Sequence, residues 1–130
     1  MDEIKLHTGT RVRLSVLESD DLPAGFTDRL QRFAAADDHV EAIFGFRLQA
    51  DDREAQPSLA IAIRAAWLGR PDEAFIGVVE RLQHHLPEDA SLNLYRFGAS
   101  DFLARYCVER IEPLFLRNPS WLDRQRRKYA

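Results

Sequence analysis

The sequence contains few of the features that mark disulfide-bonded, secreted or membrane proteins. It has one cysteine, Cys107, so no internal disulfide can form. Its apolar runs are too short to cross a bilayer. The first residues, Met1–Lys5, include an acidic pair and no apolar segment, which predicts the absence of a secretory signal. We therefore expect a cytoplasmic protein without membrane attachment.

The composition is that of a folded domain. Hydrophobic residues make up 45% of the 130 residues and charged residues 30%, a balance too apolar for intrinsic disorder. The length is close to the commonest size of single domains, and no internal repeat or linker divides the chain. We expect residues 1–117 to form one α+β domain and residues 118–130 to form a basic C-terminal tail.

Charge is distributed unevenly along the chain. The formal net charge is −3, residues 117–130 carry five basic and one acidic residue (+4), and the remaining residues therefore carry −7. An acidic body argues against nucleic-acid binding over a broad surface. The expected partner is another protein or a second copy of the chain.

Hydrophobic spacing predicts four strands and three helices. Strands are predicted by period-2 alternation at residues 11–17, 40–48, 58–66 and 91–97. Helices are predicted after Pro23, after Pro71 and after an N-capping Ser100. The order β-α-β-β-α-β-α predicts a ferredoxin-like antiparallel sheet with helices packed on one face and an extra C-terminal helix.

The predicted sheet has two apolar sides with different expected fates. In the strand predicted at residues 40–48, the side expected to pack against the first two helices consists of Val40, Ala42, Phe44, Phe46 and Leu48. The opposite side would carry Ile43, Tyr95 and Phe97. We expect this side either to be covered by the third helix or to remain open as an apolar partner surface.

Three runs of residues, with Pro23 at the start of a helix, carry a family resemblance. They are Gly9-Thr10-Arg11-Val12-Arg13-Leu14, Val40-Glu41-Ala42-Ile43-Phe44 and Ile111-Glu112-Pro113-Leu114-Phe115-Leu116-Arg117. Over about residues 9–117 the chain resembles the C-terminal domain of the bacterial enhanced-serine-sensitivity (SseB) proteins. The proline, aromatic and arginine at positions 113, 115 and 117 are the most distinctive part.

The resemblance implies a role rather than a reaction. It implies a bacterial, cytoplasmic accessory protein linked by name to amino-acid sensitivity. Family members often carry a further N-terminal domain, so we expect this chain to be a lone C-terminal module or a stand-alone relative. The resemblance supplies no catalytic residues.

The residues that could perform chemistry do not form a recognisable set. His84 and His85 are adjacent on a predicted helix and diverge by about 100°, so with Glu80 they supply at most two convergent metal ligands. Cys107 lies on an apolar helical stripe, which is typical of a buried thiol rather than a nucleophile. We expect no catalytic site, no metal site and no cofactor, and hence no enzyme.

The C-terminal segment is the predicted partner-binding surface. Tryptophan and arginine are over-represented in binding hot spots. The candidate residues are Phe115, Arg117, Trp121, Arg124, Arg126 and Arg127. The alternative is that the segment has no binding role, in which case Trp121 folds back on the core and the arginines are solvated.

A second hypothesis is that the chain is an amino-acid-binding regulatory domain. The turn from Asp21 to Phe26 resembles the first strand-to-helix turn of ACT domains, where backbone groups contact the ligand. Here Pro23 would fix one backbone angle and Gly25 would permit an unusual one. The candidate ligand turn therefore consists of Asp21, Pro23 and Gly25.

Overall fold

The computed structural model describes residues 2–6, 10–18, 20–51, 53–65, 69–85 and 92–130. The strands are β1 Asp2–Leu6, β2 Thr10–Val16, β3 Val40–Ala50, β4 Gln56–Ile63, β5 Asn93–Arg96 and β6 Phe115–Leu116. The helices are α1 Phe26–Ala36, α2 Pro71–Gln83, α3 Asp101–Arg110 and α4 Pro119–Lys128. Both lists confirm an α+β fold.

The sheet is mixed rather than antiparallel throughout. Its strands lie in the order β1-β2-β3-β4-β5, and β6 pairs separately with β3. All pairs are antiparallel except β4 and β5, which are parallel. The expected ferredoxin-like antiparallel sheet is therefore wrong in strand order and direction, because α2 crosses over to return β5 parallel beside β4.

One edge of β3 serves two different strands. Residues 46–50 pair with β2, and Ala42 and Ile43 pair with β6. Gly45 lies between these two pairings, and a Cβ atom there would stand 2.5 Å from Leu17 Cδ1 and 2.9 Å from Leu114 Cδ1. The absence of a side chain at Gly45 lets the end of β2 and the approach to β6 meet over the same strand.

The first helical layer consists of α1 and α2 on one face of the sheet. The buried residues of this layer and of the sheet beneath it are Phe26, Leu30, Phe33, Ala34, Val40, Ile43, Leu59, Ile61, Ile63, Val78 and Leu82. Leu59, Ile61 and Ile63 meet these helices as the alternation of β4 predicts. Val40 and Ile43 share this face because the pairing register shifts between Val40 and Ala42.

The second layer consists of α3 and α4 on the opposite face. Ala42, Phe44 and Phe46 pack here, so their expected contact with α1 and α2 is wrong. Ile43 is fully buried under the first layer and Phe97 is 6% exposed under the second. Because β3 is covered on both sides, the apolar partner surface expected at Ile43, Tyr95 and Phe97 is not open.

Residues 118–130 are helical and packed, not irregular. Asn118 caps α4 by accepting a hydrogen bond from Ser120 N at 3.1 Å, and Pro119 occupies the first turn. Leu122 and Tyr129 are buried against the core of the second layer. The expectation of an irregular basic tail is therefore corrected to a fourth helix.

Several local predictions are confirmed. The left-handed backbone of Gly25 (φ 77°) precedes α1, which ends before Asp37. Pro71 opens α2, and Ser100 Oγ accepts a hydrogen bond from Leu103 N at the start of α3.

No helix in the described part of the chain is long and apolar enough to span a membrane.

Candidate functional site

A groove of about 690 Å³ opens where α1 and α2 end. Arg29, Arg32, Phe33 and Ala36 come from α1, and Arg81 comes from α2. The turn after α1 contributes Asp37, Asp38 and His39, and the residues directly after α2 contribute His84 and His85. Two stretches of chain, 29–39 and 81–85, thus place basic, acidic and aromatic groups around one opening. A second cavity, of about 200 Å³, lies beside Trp121 and Tyr129.

The centre of the groove is an ion pair between Asp37 and Arg81. Arg81 Nε donates to Asp37 Oδ2 at 2.8 Å and Arg81 Nη2 donates to Asp37 Oδ1 at 3.2 Å. The backbone N–H of His39 donates to Asp37 Oδ1 at 3.0 Å, and His39 Nδ1 lies 3.2 Å from the same oxygen. The two-pronged contact fixes α2 against the turn that ends α1.

The protonation of Asp37 follows from these contacts. Burial raises the pKa of its carboxyl group, but hydrogen bonds from Arg81 and from the His39 backbone outweigh burial and hold the pKa below its ordinary value of 3.8. Asp37 is therefore a carboxylate at neutral pH. The carboxylate serves as the anionic partner of Arg81.

The wall formed by α1 carries two exposed arginines. Arg29 and Arg32 are three positions apart in the sequence, so their side chains leave the same face of the helix. Within the described residues, neither guanidinium takes part in a hydrogen bond or an ion pair. Their donors are directed to solvent in the groove region.

The floor of the groove is apolar. The ring of Phe33 packs against the imidazole of His85, with centroids 5.1 Å apart and planes inclined by 56°. His85 Nδ1 donates to the Arg81 carbonyl at 3.0 Å, which fixes the orientation of that ring. Ala36 adds no bulk at the rim. A ligand with both apolar and charged parts can therefore be accommodated.

Arg117 supports the groove from beneath. Its Nη2 donates to the carbonyls of Ala34 at 2.7 Å and Asp37 at 3.0 Å, and its Nε donates to the carbonyl of Val40 at 2.8 Å. Two of these carbonyls, those of Ala34 and Asp37, are at the end of α1, and each also accepts a backbone N–H, from Asp37 and Val40 respectively, so Arg117 supplies a second donor. Arg117 thus ties the α1 terminus to β6.

Two of the predicted partner-binding residues lie on the first layer. The Arg117 guanidinium carbon is 5.4 Å from the centroid of Phe115, and this ring packs partly buried against the core beneath α1 and α2. The three backbone carbonyls described above engage Arg117 within the fold. Phe115 and Arg117 of this segment therefore have a structural explanation in this chain.

The other four predicted residues belong to α4 and the second layer. Trp121 packs on Phe97 with a centroid separation of 5.3 Å and on Phe44 at 6.3 Å. Arg126 Nε donates to the Val108 carbonyl at 3.2 Å, and Arg124 donates to Ser120 Oγ at 3.2 Å. Arg124 and Arg127 are exposed. The six residues are divided between opposite faces of the sheet.

The predicted ligand turn uses its polar groups internally. Asp21 Oδ2 accepts a hydrogen bond from Glu18 N at 2.6 Å and lies 3.5 Å from Arg47 Nε. The Pro23 carbonyl accepts from Phe26 N, and Gly25 supplies the left-handed residue before α1. These contacts describe an ordinary helix start.

The remaining candidate residues do not combine into a reaction centre. Cys107 is fully buried, and burial raises the pKa of its thiol to about 12. In the described ranges, no group of three histidine, cysteine or carboxylate side chains is arranged to hold a metal ion. His84 and His85 lie at the groove without forming such a group.

Sequence reasoning missed Asp37, Arg81, Arg29 and Arg32 as one site. Asp37 was recognised only as the end of α1. A charged residue at each of two helix ends is common on protein surfaces, so no local pattern singles these residues out. One signal in the sequence is that an acidic run, Asp37-Asp38-His39, directly follows a helix whose exposed face carries Arg29 and Arg32.

The architecture defines a class of α+β domain, a mixed sheet with one helical pair on each face. The family model described as the SseB protein C-terminal domain matches residues 6–117, so the chain belongs to this family. The match includes α1, α2, α3 and β6 and ends before α4. Searches of curated proteins and of solved structures found no match.

Proposed function

We propose that this chain is a non-catalytic accessory module of the bacterial cytoplasm that binds another protein chain through the groove at the ends of α1 and α2. The observation that carries the proposal is the groove itself, an opening of about 690 Å³ with an apolar floor and, on its wall, two arginines that make no ion pair with the residues the structure describes. The opposite face of the sheet is covered by α3 and α4, and the cavity beside Trp121 there is smaller, about 200 Å³. The groove is therefore the better docking surface.

The state of the reactive groups supports a binding role. The buried carboxylate of Asp37 is held ionised by hydrogen bonds from Arg81, and its lowered pKa makes it a weak base. The thiol of Cys107 is protonated and has no access to solvent. The groups that would act as base and nucleophile are thus engaged or shielded.

A pair of matched substitutions tests the proposal. Ala36 and Ala35 are both exposed at the end of α1, but only Ala36 lines the groove. We expect Ala36→Trp to fill the groove and abolish capture of the protein that wild type retains from native lysate, while Ala35→Trp retains it. If the wild-type chain instead forms a dimer, the same contrast should appear in sedimentation equilibrium. Equal behaviour of the two variants would refute the proposal.

A further inference from the structure

We infer that the groove recognises an acidic segment of the partner protein, in which carboxylates flank an apolar side chain. This inference rests on the proposed function and specifies the chemistry of the occupant. It combines three properties of the groove: its charge, the availability of two arginines on its wall, and the apolar surface of its floor.

The groove is a basic region on an acidic chain. The charged side chains around it are Arg29, Arg32 and Arg81 together with Asp37 and Asp38, which gives +1, against −3 for the whole chain. Arg81 and Asp37 neutralise each other through the contacts at 2.8 and 3.2 Å. Arg29 and Arg32 remain to attract an anion, opposed only by Asp38 among these residues.

The two arginines suit carboxylates. A guanidinium presents a planar fork of donors that matches the two oxygens of a carboxylate. Arg29 and Arg32 lie one helical turn apart on the exposed face of α1 and make no hydrogen bond or ion pair within the described ranges. Two acidic side chains on one side of an extended segment can each meet one of them.

The apolar floor favours an occupant that carries an apolar group as well as negative charges. The Phe33 and His85 rings, 5.1 Å apart, and the methyl group of Ala36 form a surface that an ion alone would leave uncovered. A volume of about 690 Å³ also exceeds what a single inorganic anion fills. An acidic segment with an aromatic or aliphatic residue can pair its carboxylates with the arginines of the wall and pack its apolar side chain on the floor.

The inference can be tested with a defined probe. The probe is a short fluorescent peptide in which glutamates flank phenylalanine, and its control replaces each glutamate by glutamine. We expect the glutamate peptide to bind wild type with an anisotropy change that weakens as salt is added. Binding should fall by about tenfold or more in Arg29→Glu/Arg32→Glu, because two attractive charges become repulsive.

A matched variant controls for net charge. Arg53 and Arg105 are exposed and lie outside the groove, so Arg53→Glu/Arg105→Glu changes the total charge equally. We expect this variant to bind the glutamate peptide as wild type does. Thermal unfolding of all three proteins should show that each remains folded. An equal loss of affinity in both double variants would overturn the inference.

Two further outcomes separate the inference from the proposal on which it rests. If Ala36→Trp loses the partner protein while the glutamate and glutamine peptides bind alike, the groove binds protein but not through acidic groups, and the inference is wrong. Displacement of the peptide by inorganic phosphate as effectively as by unlabelled peptide would identify a small-anion site and also overturn it. Failure of the Ala36→Trp contrast would instead remove the proposed function.

Discussion

The two faces of the sheet are covered by helices that are attached by different interactions. On the first face, Arg117 joins the end of α1 to β3, and the Asp37–Arg81 pair joins α2 to the turn after α1, through hydrogen bonds between 2.7 and 3.2 Å. On the second face, Trp121 joins α4 to the sheet mainly through ring contacts. Directional polar contacts fix geometry, and a groove persists beside them. Ring contacts fill more of the space, and the cavity beside Trp121 is the smaller of the two, about 200 Å³.

The comparison also separates family from individual features. The polar face, including Arg117, lies within the residues that match the SseB C-terminal domain, whereas α4 lies after them. The groove is therefore built from segments of the family domain. The cover formed by α4 belongs to the part of this chain that the match does not include.

Removing the guanidinium of Arg117 should have the largest effect. Arg117→Ala removes three guanidinium hydrogen bonds, to the carbonyls of Ala34, Asp37 and Val40, of which the first two keep a backbone donor. We expect unfolding free energy to fall by about 3 kcal/mol or more, since hydrogen bonds from charged groups contribute about 1.5–3 kcal/mol each. Urea denaturation measures the loss. Arg117→Lys should recover only part of it, and full recovery would show that charge rather than the fork is needed.

Removing the ring of Trp121 should have a smaller effect. Trp121→Ala deletes the contacts with Phe97 and Phe44, and we expect a loss of about 2 kcal/mol because the ring is only partly buried. Trp121→Phe should retain most of the stability. Partner capture through the groove should be unchanged in both variants, because the ring is on the opposite face. Loss of capture in a folded Trp121→Ala protein would break the division between the two faces.

Asp37 should give the first face an acid-sensitive component. Its pKa is lower in the folded chain than the ordinary value of 3.8, so its contribution is present above that value and is lost as the pH falls through the folded pKa. Asp37→Asn should reduce stability by about 1 kcal/mol at neutral pH. The difference from wild type should shrink in acid. Urea denaturation as a function of pH measures it, and a constant difference would contradict this assignment.

Glu41 should show a small effect of opposite sign. Burial raises its pKa above 4.5, although Arg64, Arg117 and Arg124 oppose the shift, and within the described residues Oε2 has no hydrogen-bond partner. Wild-type stability from this group is therefore full below about pH 4.5 and declines as the pH rises through the folded pKa. We expect Glu41→Gln to stabilise the chain at neutral pH by less than about 1 kcal/mol. Destabilisation at neutral pH would contradict this expectation.

The sequence was sufficient where the controlling interaction is local. Pro71 at the first position of α2 and Ser100 as the cap of α3 were predicted because each acts within one helical turn. Asn118 and Pro119 give the same kind of signal for α4, although the expectation from the sequence is an irregular tail that begins at these residues. Its few apolar positions, including Leu122 and Tyr129, are the ones that are buried.

The sequence was insufficient where two distant segments define the outcome. Phe44 and Ile43 are both fully buried, so alternation along β3 could not indicate which face meets which helices. The groove likewise unites α1 with residues that follow α2. Nothing near Arg117 in the sequence indicates that its partners are 77 to 83 residues earlier.

The long reach of Arg117 has a consequence for the time at which the domain can form during synthesis. The carbonyl groups at the end of α1 are synthesised early. Arg117, whose guanidinium donates to them, leaves the ribosome only after β3, β4, α2 and α3 have emerged. Until then α1 lacks its anchor, and the sheet edge at Ala42 and Ile43 lacks β6. Such late, non-local closure slows folding, so a nascent chain halted before residue 115 should remain open to proteolysis at the end of α1.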